Sequence, residues 1–411
     1  MGKFLLFSLL ILTALPIRAV DQVTVEIPEK EVLGVADQVT VELLEKEVLG
    51  AHGKLDKDVA KRLGQLELTE RLSAARFERL KAYLPGERSV QALLALADAS
   101  AFLDPPVMDI LPFGPPDFAT QGQIMSRAAD FVIATTSRMP DFLAARTTTR
   151  FQDRKVSQLV NESVIALDRS FHIVDRSSIG VVFRNGREVT EPTVRKRSRE
   201  GSKFSPGLIN WGEFGPLLGI AMADLLSGKV GWGHWEQGPT DRIAVFRYMV
   251  AKDKSHYTVK YCCIPGVQGK MVDFEVIPQY HGEIAVDPAT GSVLRLVLKT
   301  DLDSDLPITR ADVMVEYGTV EIGGRSYICP VKSVSMSKAL SFEPIVLAVF
   351  KGRTVPNAIY HLNTTAINDV VFENYHIFRS EMRILPGTSS VPEITTAAPA
   401  PSDPPASPLQ H

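Results

Sequence analysis

Three cysteines in 411 residues are too few for a disulfide scaffold, and no Cys-x-x-Cys pair is present to hold a structural zinc ion. An excess of one charge sign is also missing, since 45 basic side chains stand against 48 acidic ones for a formal charge of −3. A protein built to hold nucleic acid would carry a domain-wide basic surplus, so no nucleic-acid partner is expected. Beyond the N-terminus no apolar run approaches the roughly 20 residues that span a bilayer; the nearest, Phe214 to Leu226, is interrupted by Asp224. Hydrolase elbows of the Gly-x-Ser-x-Gly type, His-Glu-x-x-His helices and Walker or dinucleotide glycine loops are absent. Composition and motif therefore nominate no catalytic residue, no cofactor and no metal ligand set, and the leading expectation is a non-enzymatic protein.

The chain opens with Lys3, an apolar run from Phe4 to Leu15 and a Pro16-Ile17-Arg18-Ala19 end, the pattern of a secretory signal peptide. Export to a periplasm or the outside follows, with solubility after cleavage and an uncleaved anchor as the alternative. Residues 20–53 hold a near-exact duplication: Asp21 to Gly34 recurs as Asp37 to Gly50. It reads as an acidic arm, or as two edge strands, because Val23, Val25 and Ile27 alternate with polar residues. Residues 54–116 change to helical spacing, with breaks at Pro85-Gly86 and Pro105-Pro106, and predict a small bundle of three helices. A further amphipathic helix is expected over 117–138, ending at Pro140.

From 117 to 385 the spacing predicts one domain, and past Ala145 its apolar residues fall into period two. Turn signals at Asn185-Gly186, Asp287 to Gly291 and Gly323-Gly324 separate the strand candidates, so an antiparallel meander is expected. One helix, 211–226, interrupts it. The fold class is thus α+β: a small helical bundle, then a large antiparallel sheet with an inserted helix. Residues 386–411 carry seven prolines among Ser, Thr and Ala and are expected to form a disordered tail.

The order of signal peptide, leading helix and long meander with an inserted helix resembles the extracytoplasmic half-barrel fold of the LolA/LolB lipoprotein carriers and their sigma-factor-regulator relatives. The stretch Gly282-Glu-Ile-Ala-Val-Asp287-Pro-Ala-Thr-Gly291-Ser-Val-Leu-Arg295-Leu296 is similar to a hairpin common in those families. The front, with Leu68 to Leu72 and Ala97 to Leu103, also resembles uncharacterised secreted proteins of acidobacteria. What the resemblance implies is a concave, apolar-lined half-barrel that receives an acyl chain or a protein segment, with a lipid or lipoprotein as partner. It brings no catalytic residue with it.

On that reading Ile284, Val286, Leu294, Leu296 and Val315 are the inward residues expected to line a cavity. Trp211, Trp232 and Trp235 flank or occupy a glycine-rich stretch and read either as an aromatic rim to a pocket or as core. Arg195, Lys196, Arg197 and Arg199 form a basic surface loop, either simply solvated or in contact with an anionic membrane surface. The pattern Asp301, Asp303, Asp305 has Leu306 and Asp312 where a calcium loop needs Gly and Glu. Cys262 and Cys263 are adjacent, so on a regular strand they point to opposite faces; Cys263 is then expected to pair with Cys329, the alternative being three buried thiols. Two functional classes remain open: a carrier with an open cavity, and an envelope or interaction protein whose sheet face is a filled core, with a hydrolase third.

Overall fold

The computed structural model describes residues 36–153, 155–160, 163–168, 170–189, 207–209, 212–238, 241–265, 271–341, 348–350, 353–355 and 362–378. Residues 1–19, expected to be a leader, the first repeat copy, the basic residues Arg195 to Arg199, Trp211 and the Pro-rich tail lie outside these residues.

The second repeat copy is folded, which corrects the expectation of an arm over 20–53. Asp37–Val39 is strand β1, parallel to β2 (Leu66–Leu68). Thr40 then caps helix α1 (Val41–Leu49) by accepting the Leu43 N–H. Val41, Leu44 and Val48 are buried among Leu63, Leu80, Leu93 and Leu96. Their spacing of three and four is helical, whereas the alternation in the text of the repeat breaks down at Leu43, which is exposed. Helices α2 (Asp56–Leu63), α3 (Ala74–Lys81) and α4 (Glu87–Ala99) complete the bundle. Asp56 joins two of them by accepting from the backbone N–H and hydroxyl of Ser89.

Helix α5 (Phe118–Arg138), capped by Asp117, stands where the spacing predicts it. The inserted helix, α6 (Pro216–Leu225), starts later than expected because Gly215 and Pro216 set its first turn. The strands that follow the bundle are β3 (Ile110–Leu111), β4 (Phe142–Gln152), β5 (Lys155–Val160), β6 (Ser163–Asp168), β7 (His172–Arg184), β8 (Arg187–Val189), β9 (Gly207–Leu208), β10 (Lys229–Gln237) and β11 (Arg242–Val250). Then come β12 (Val259–Pro265), β13 (Met271–Val276), β14 (Gln279–Val286), β15 (Val293–Asp301), β16 (Ile308–Ile322), β17 (Arg325–Ser341), β18 (Ala348–Phe350), β19 (Arg353–Val355) and β20 (Leu362–Ile377).

Eleven of them build one open sheet in the order β3-β10-β11-β14-β15-β16-β17-β20-β4-β7-β8. All ten of its neighbouring pairs are antiparallel, in keeping with short turns between sequential strands. The turns are those in the sequence: Asn185 and Gly186 take positive φ between β7 and β8, and Gly323 and Gly324 do so between β16 and β17. Residues 311–322 run through as part of the single strand β16, with a bulge at Glu316/Tyr317. The remaining strands form a small flap, β13-β12-β9, and a four-stranded sheet, β19-β18-β5-β6.

Helices cover both faces of the large sheet. On one, α5 and α6 bring Ile124, Ala128, Leu217 and Ala221 onto Phe246, Ile284, Leu296 and Val315. On the other, α4 and its C-terminal turn bring Ala95 and Phe102 onto Phe151, Met314, Val334 and Ile367. A buried ionic cluster ties the bundle to that second face. Arg71, Arg295 and His234 converge on Glu236 at 2.6, 2.9 and 2.8 Å. Arg247 bridges Glu283 at 3.2 Å to Asp104 at 2.9 Å.

Candidate binding cleft

In an antiparallel ladder, directly paired residues share a face. The face that carries Val313 and Val315 therefore continues through Ser335 and Ser333 of β17 to Asn368 and Val370 of β20. From there it passes to Arg150 and Thr148 of β4 and to Asp175 and Ser177 of β7. One face thus changes from apolar to polar across its width. Helices α5 and α6 seal the apolar part, and the flap stands over the polar part.

Between flap and sheet lies a cleft of about 250 Å³. Its floor is Arg146, Thr148, Arg150, Asp175 and Asn368, and its other wall is Gly207, Leu208, Ile209 and Cys262. Alternation along β4 puts positions 146, 148 and 150 on this one side. Asn368 fastens the flap, its amide donating to Leu208 O at 3.4 Å and to Ser335 Oγ at 3.1 Å.

Burial holds the Arg150 guanidinium below the ordinary arginine value, outweighing Tyr261 and Asp175, which act to raise it. Arg146 reaches Glu213 at 3.4 Å and Glu188 at 3.9 Å, both looser than a bidentate ion pair. Burial and the neighbouring Glu213 raise the Glu188 carboxyl despite Arg146. A guanidinium presents the planar donor fork that a carboxylate or phosphate fits.

A second polar cluster surrounds Asp224 of α6, which has no exposed surface. It lies 2.5 Å from His256 Nδ1 and accepts from the Tyr280 hydroxyl at 2.8 Å and the His256 backbone N–H at 2.9 Å. The imidazole itself is exposed. This is the geometry of an oriented histidine, but among the described residues no Ser, Thr or Cys side chain is hydrogen-bonded to it. Its effect is to fasten the segment after β11 onto the end of α6.

The residues expected to line an acyl cavity fall elsewhere. Ile284, Val286, Leu296 and Val315 share one face, but their exposure is 0–1%, and a side chain with no surface open to a water-sized sphere borders no cavity. Leu294 packs on the opposite side with Ile243, Val245 and Ala285. Trp232 and Trp235 meet edge to face at 4.8 Å, because a bulge between Trp232 and His234 brings both to the side of Phe246. Trp235 is buried, donates its indole N–H to Gly114 O at 3.0 Å, and lies under Arg242. Trp235 is thus part of the core and Trp232 packs half-buried against it, while Trp211 lies outside the described residues.

The cysteine pairing is also corrected. Cys262 and Cys263 are bonded to each other across a cis peptide, with Cα atoms 3.0 Å apart. The opposite-face argument presumes a trans peptide and a regular strand, and this strand has neither there. Cys329 is a buried free thiol, packed with Phe142, Phe214 and Ile322. Burial pushes it up to about 12.

Arg146 and Arg150 escaped the sequence reading although a signal was present. Two arginines and a threonine alternating along a strand are unusual on a face that is otherwise covered. No protein-family model, curated protein or solved structure matches the chain.

Proposed function

We propose that this chain is an exported, non-enzymatic binding protein that holds an organic anion in the Arg146–Arg150 cleft. The ligand class is a carboxylate or phosphate carried on an apolar body: the guanidinium groups take the charged end, and Leu208 and Ile209 take the rest. The observation that carries this reading is the placement of two arginines on one strand, on the same side, beneath a flap that leaves about 250 Å³ open. The Met1 to Ala19 leader supports export, and no helix among the described residues is long and apolar enough to cross a membrane.

Titration calorimetry with octanoate, octanol and inorganic phosphate tests it. Octanoate is expected to bind the wild type, octanol to bind at least about tenfold more weakly for want of a charge, and Arg150→Gln to lose the octanoate signal. Equal binding of octanoate and octanol, or an Arg150→Gln variant with wild-type affinity, removes the anion reading. Heat from phosphate alone assigns the cleft to the free inorganic ion instead of an amphiphile.

A second reading, contact with another macromolecule, is favoured by Val107, Met108 and Phe118, which are 83%, 82% and 91% exposed along the connection from bundle to α5. Its test is the apparent mass in solution of the wild type against a Val107→Ser/Met108→Ser/Phe118→Ser variant. A wild type that runs as a monomer and has the same mass as the variant counts against self-association there.

A further inference from the structure

Cys262, Cys263 and Asp273 place two sulfurs and a carboxylate oxygen within 4.8 Å of one another. The cause is a bulge. Between the pairs Tyr261–Phe274 and Ile264–Val272, β12 has two residues where β13 has one, so both cysteines stand opposite Asp273. Cys263 Sγ is already 3.5 Å from Asp273 Oδ1. A tetrahedral zinc ion, with bonds of roughly 2.3 Å to sulfur and roughly 2.1 Å to oxygen, sets S···O edges of about 3.6 Å and S···S edges of about 3.8 Å. The sulfur–oxygen edge is therefore preformed, and only Cys262 Sγ has to move once its bond to Cys263 is cut.

We propose that the reduced Cys262–Cys263 pair and Asp273 form a binding site for a soft divalent cation, Zn²⁺ or Cd²⁺, at the rim of the cleft. A dithiol reductant passes two electrons and two protons to the disulfide, breaking the S–S bond while its own two thiols close into a disulfide. The cation then displaces both thiol protons and takes two thiolates and one carboxylate oxygen, leaving a fourth position to water. Access is available from two sides, since Cys262 borders the cleft and Asp273 is exposed. Two thiolates select a soft ion over Mg²⁺ or Ca²⁺. The site stands independently of the anion reading, because none of its ligands is an arginine of the cleft.

The test uses the full chain reduced with a water-soluble phosphine and titrated with Cd²⁺, read by the ultraviolet cadmium–thiolate charge-transfer band. One equivalent is expected to saturate the band in the wild type and in Cys329→Ser, and the oxidised chain is expected to show none. Cys262→Ser and Cys263→Ser are expected to lose it. Asp273→Asn, at an exposed position that leaves the fold intact, is expected to weaken binding by more than about tenfold, since even outer-shell partners of a metal cost that much. Equal titrations for the reduced wild type and the Cys262→Ser variant, or loss of the band in Cys329→Ser, overturn the site. An Asp273→Asn variant with wild-type affinity removes the carboxylate from it and refutes the three-ligand assignment.

Discussion

The guanidinium of Arg150 lies directly over the Cα of Gly207, so close that a Cβ built on Gly207 would come within 2.5 Å of Arg150 Nη2. Gly207 is thus the residue of the flap that makes room for the charged end of the cleft. Its partner in the ladder, Cys262, stands on the same wall.

Gly207→Ala is accordingly expected to displace the guanidinium, the mobile end of a long side chain, while leaving the backbone in place. Octanoate affinity should fall by about 10- to 100-fold, the range for one charge-assisted hydrogen bond of about 1.5–3 kcal/mol. The melting temperature should move little. Calorimetry beside a thermal melt checks this, and an unchanged affinity would separate the glycine from the ligand site.

Glu236 is the hub on which Arg71, Arg295 and His234 converge. Burial alone would raise its carboxyl, but His234, Arg295 and Arg71 together hold it well below the usual carboxylate range. Removing it in Glu236→Ala takes this counter-charge from the buried Arg295 and leaves the buried Arg71 with only the looser Glu283 at 3.6 Å, at a cost of about 3–5 kcal/mol in urea unfolding. Because its folded value is depressed, its contribution is present above the unfolded carboxylate value near pH ~4 and is lost as the pH falls below it. Wild type and Glu236→Ala should therefore converge in stability toward acid pH.

Asp98 of α4 behaves in the opposite sense. It lies 2.7 Å from Lys332 of β17, which also reaches Asp369 of β20 at 3.2 Å, with Glu316 of β16 nearby. Burial pushes Asp98 up to about 7, against the pull of Lys332, and Asp369 adds to the rise. Since the folded value exceeds the unfolded one, the native state holds a proton that the unfolded chain has released, and stability falls as the pH climbs from about 4 to about 7. Asp98→Asn should flatten that part of the profile. Chemical denaturation at a series of pH values measures it, and a slope that survives in Asp98→Asn assigns the titration to another group.

Leu44 is fully buried in the bundle. Leu44→Ala is expected to cost about 2–5 kcal/mol, as for other buried leucines. Leu44→Pro, which places in the second repeat the residue found at Pro28 in the first, also removes the α1 hydrogen bond from the Leu44 N–H to Thr40 O at 3.0 Å. Hydrogen exchange at the α1 amides should rise more in Leu44→Pro than in Leu44→Ala. Equal protection would mean that α1 contributes only its side chains.

Much of the fold could be read along the chain. Period-two runs, Asn-Gly and Gly-Gly turns and the Asp117 cap are local signals, each decided within a few residues by backbone sterics and hydrogen bonding, and they located the long strands and α5. The repeat was misread because the same letters satisfy two periods at once: Val39, Val41 and Leu43 alternate, while Val41, Leu44 and Val48 follow a helix. Only the neighbours Leu80, Leu93 and Leu96 choose between them.

The cleft was less legible. Arg150, Asp175, Gly207, Cys262 and Asn368 come from five separate strands, and no spacing within any one strand announces their meeting. The sequence by itself determined an α+β chain with an antiparallel meander and no recognisable catalytic motif. Tertiary structure alone decided that α5 and α6 fill the apolar half of one sheet face, that the flap leaves the arginine half open, and that Cys262 bonds its neighbour. The physical reason is range: turns and caps are settled by adjacent residues, whereas which half of a face is sealed depends on strand register and on helices arriving from distant parts of the chain.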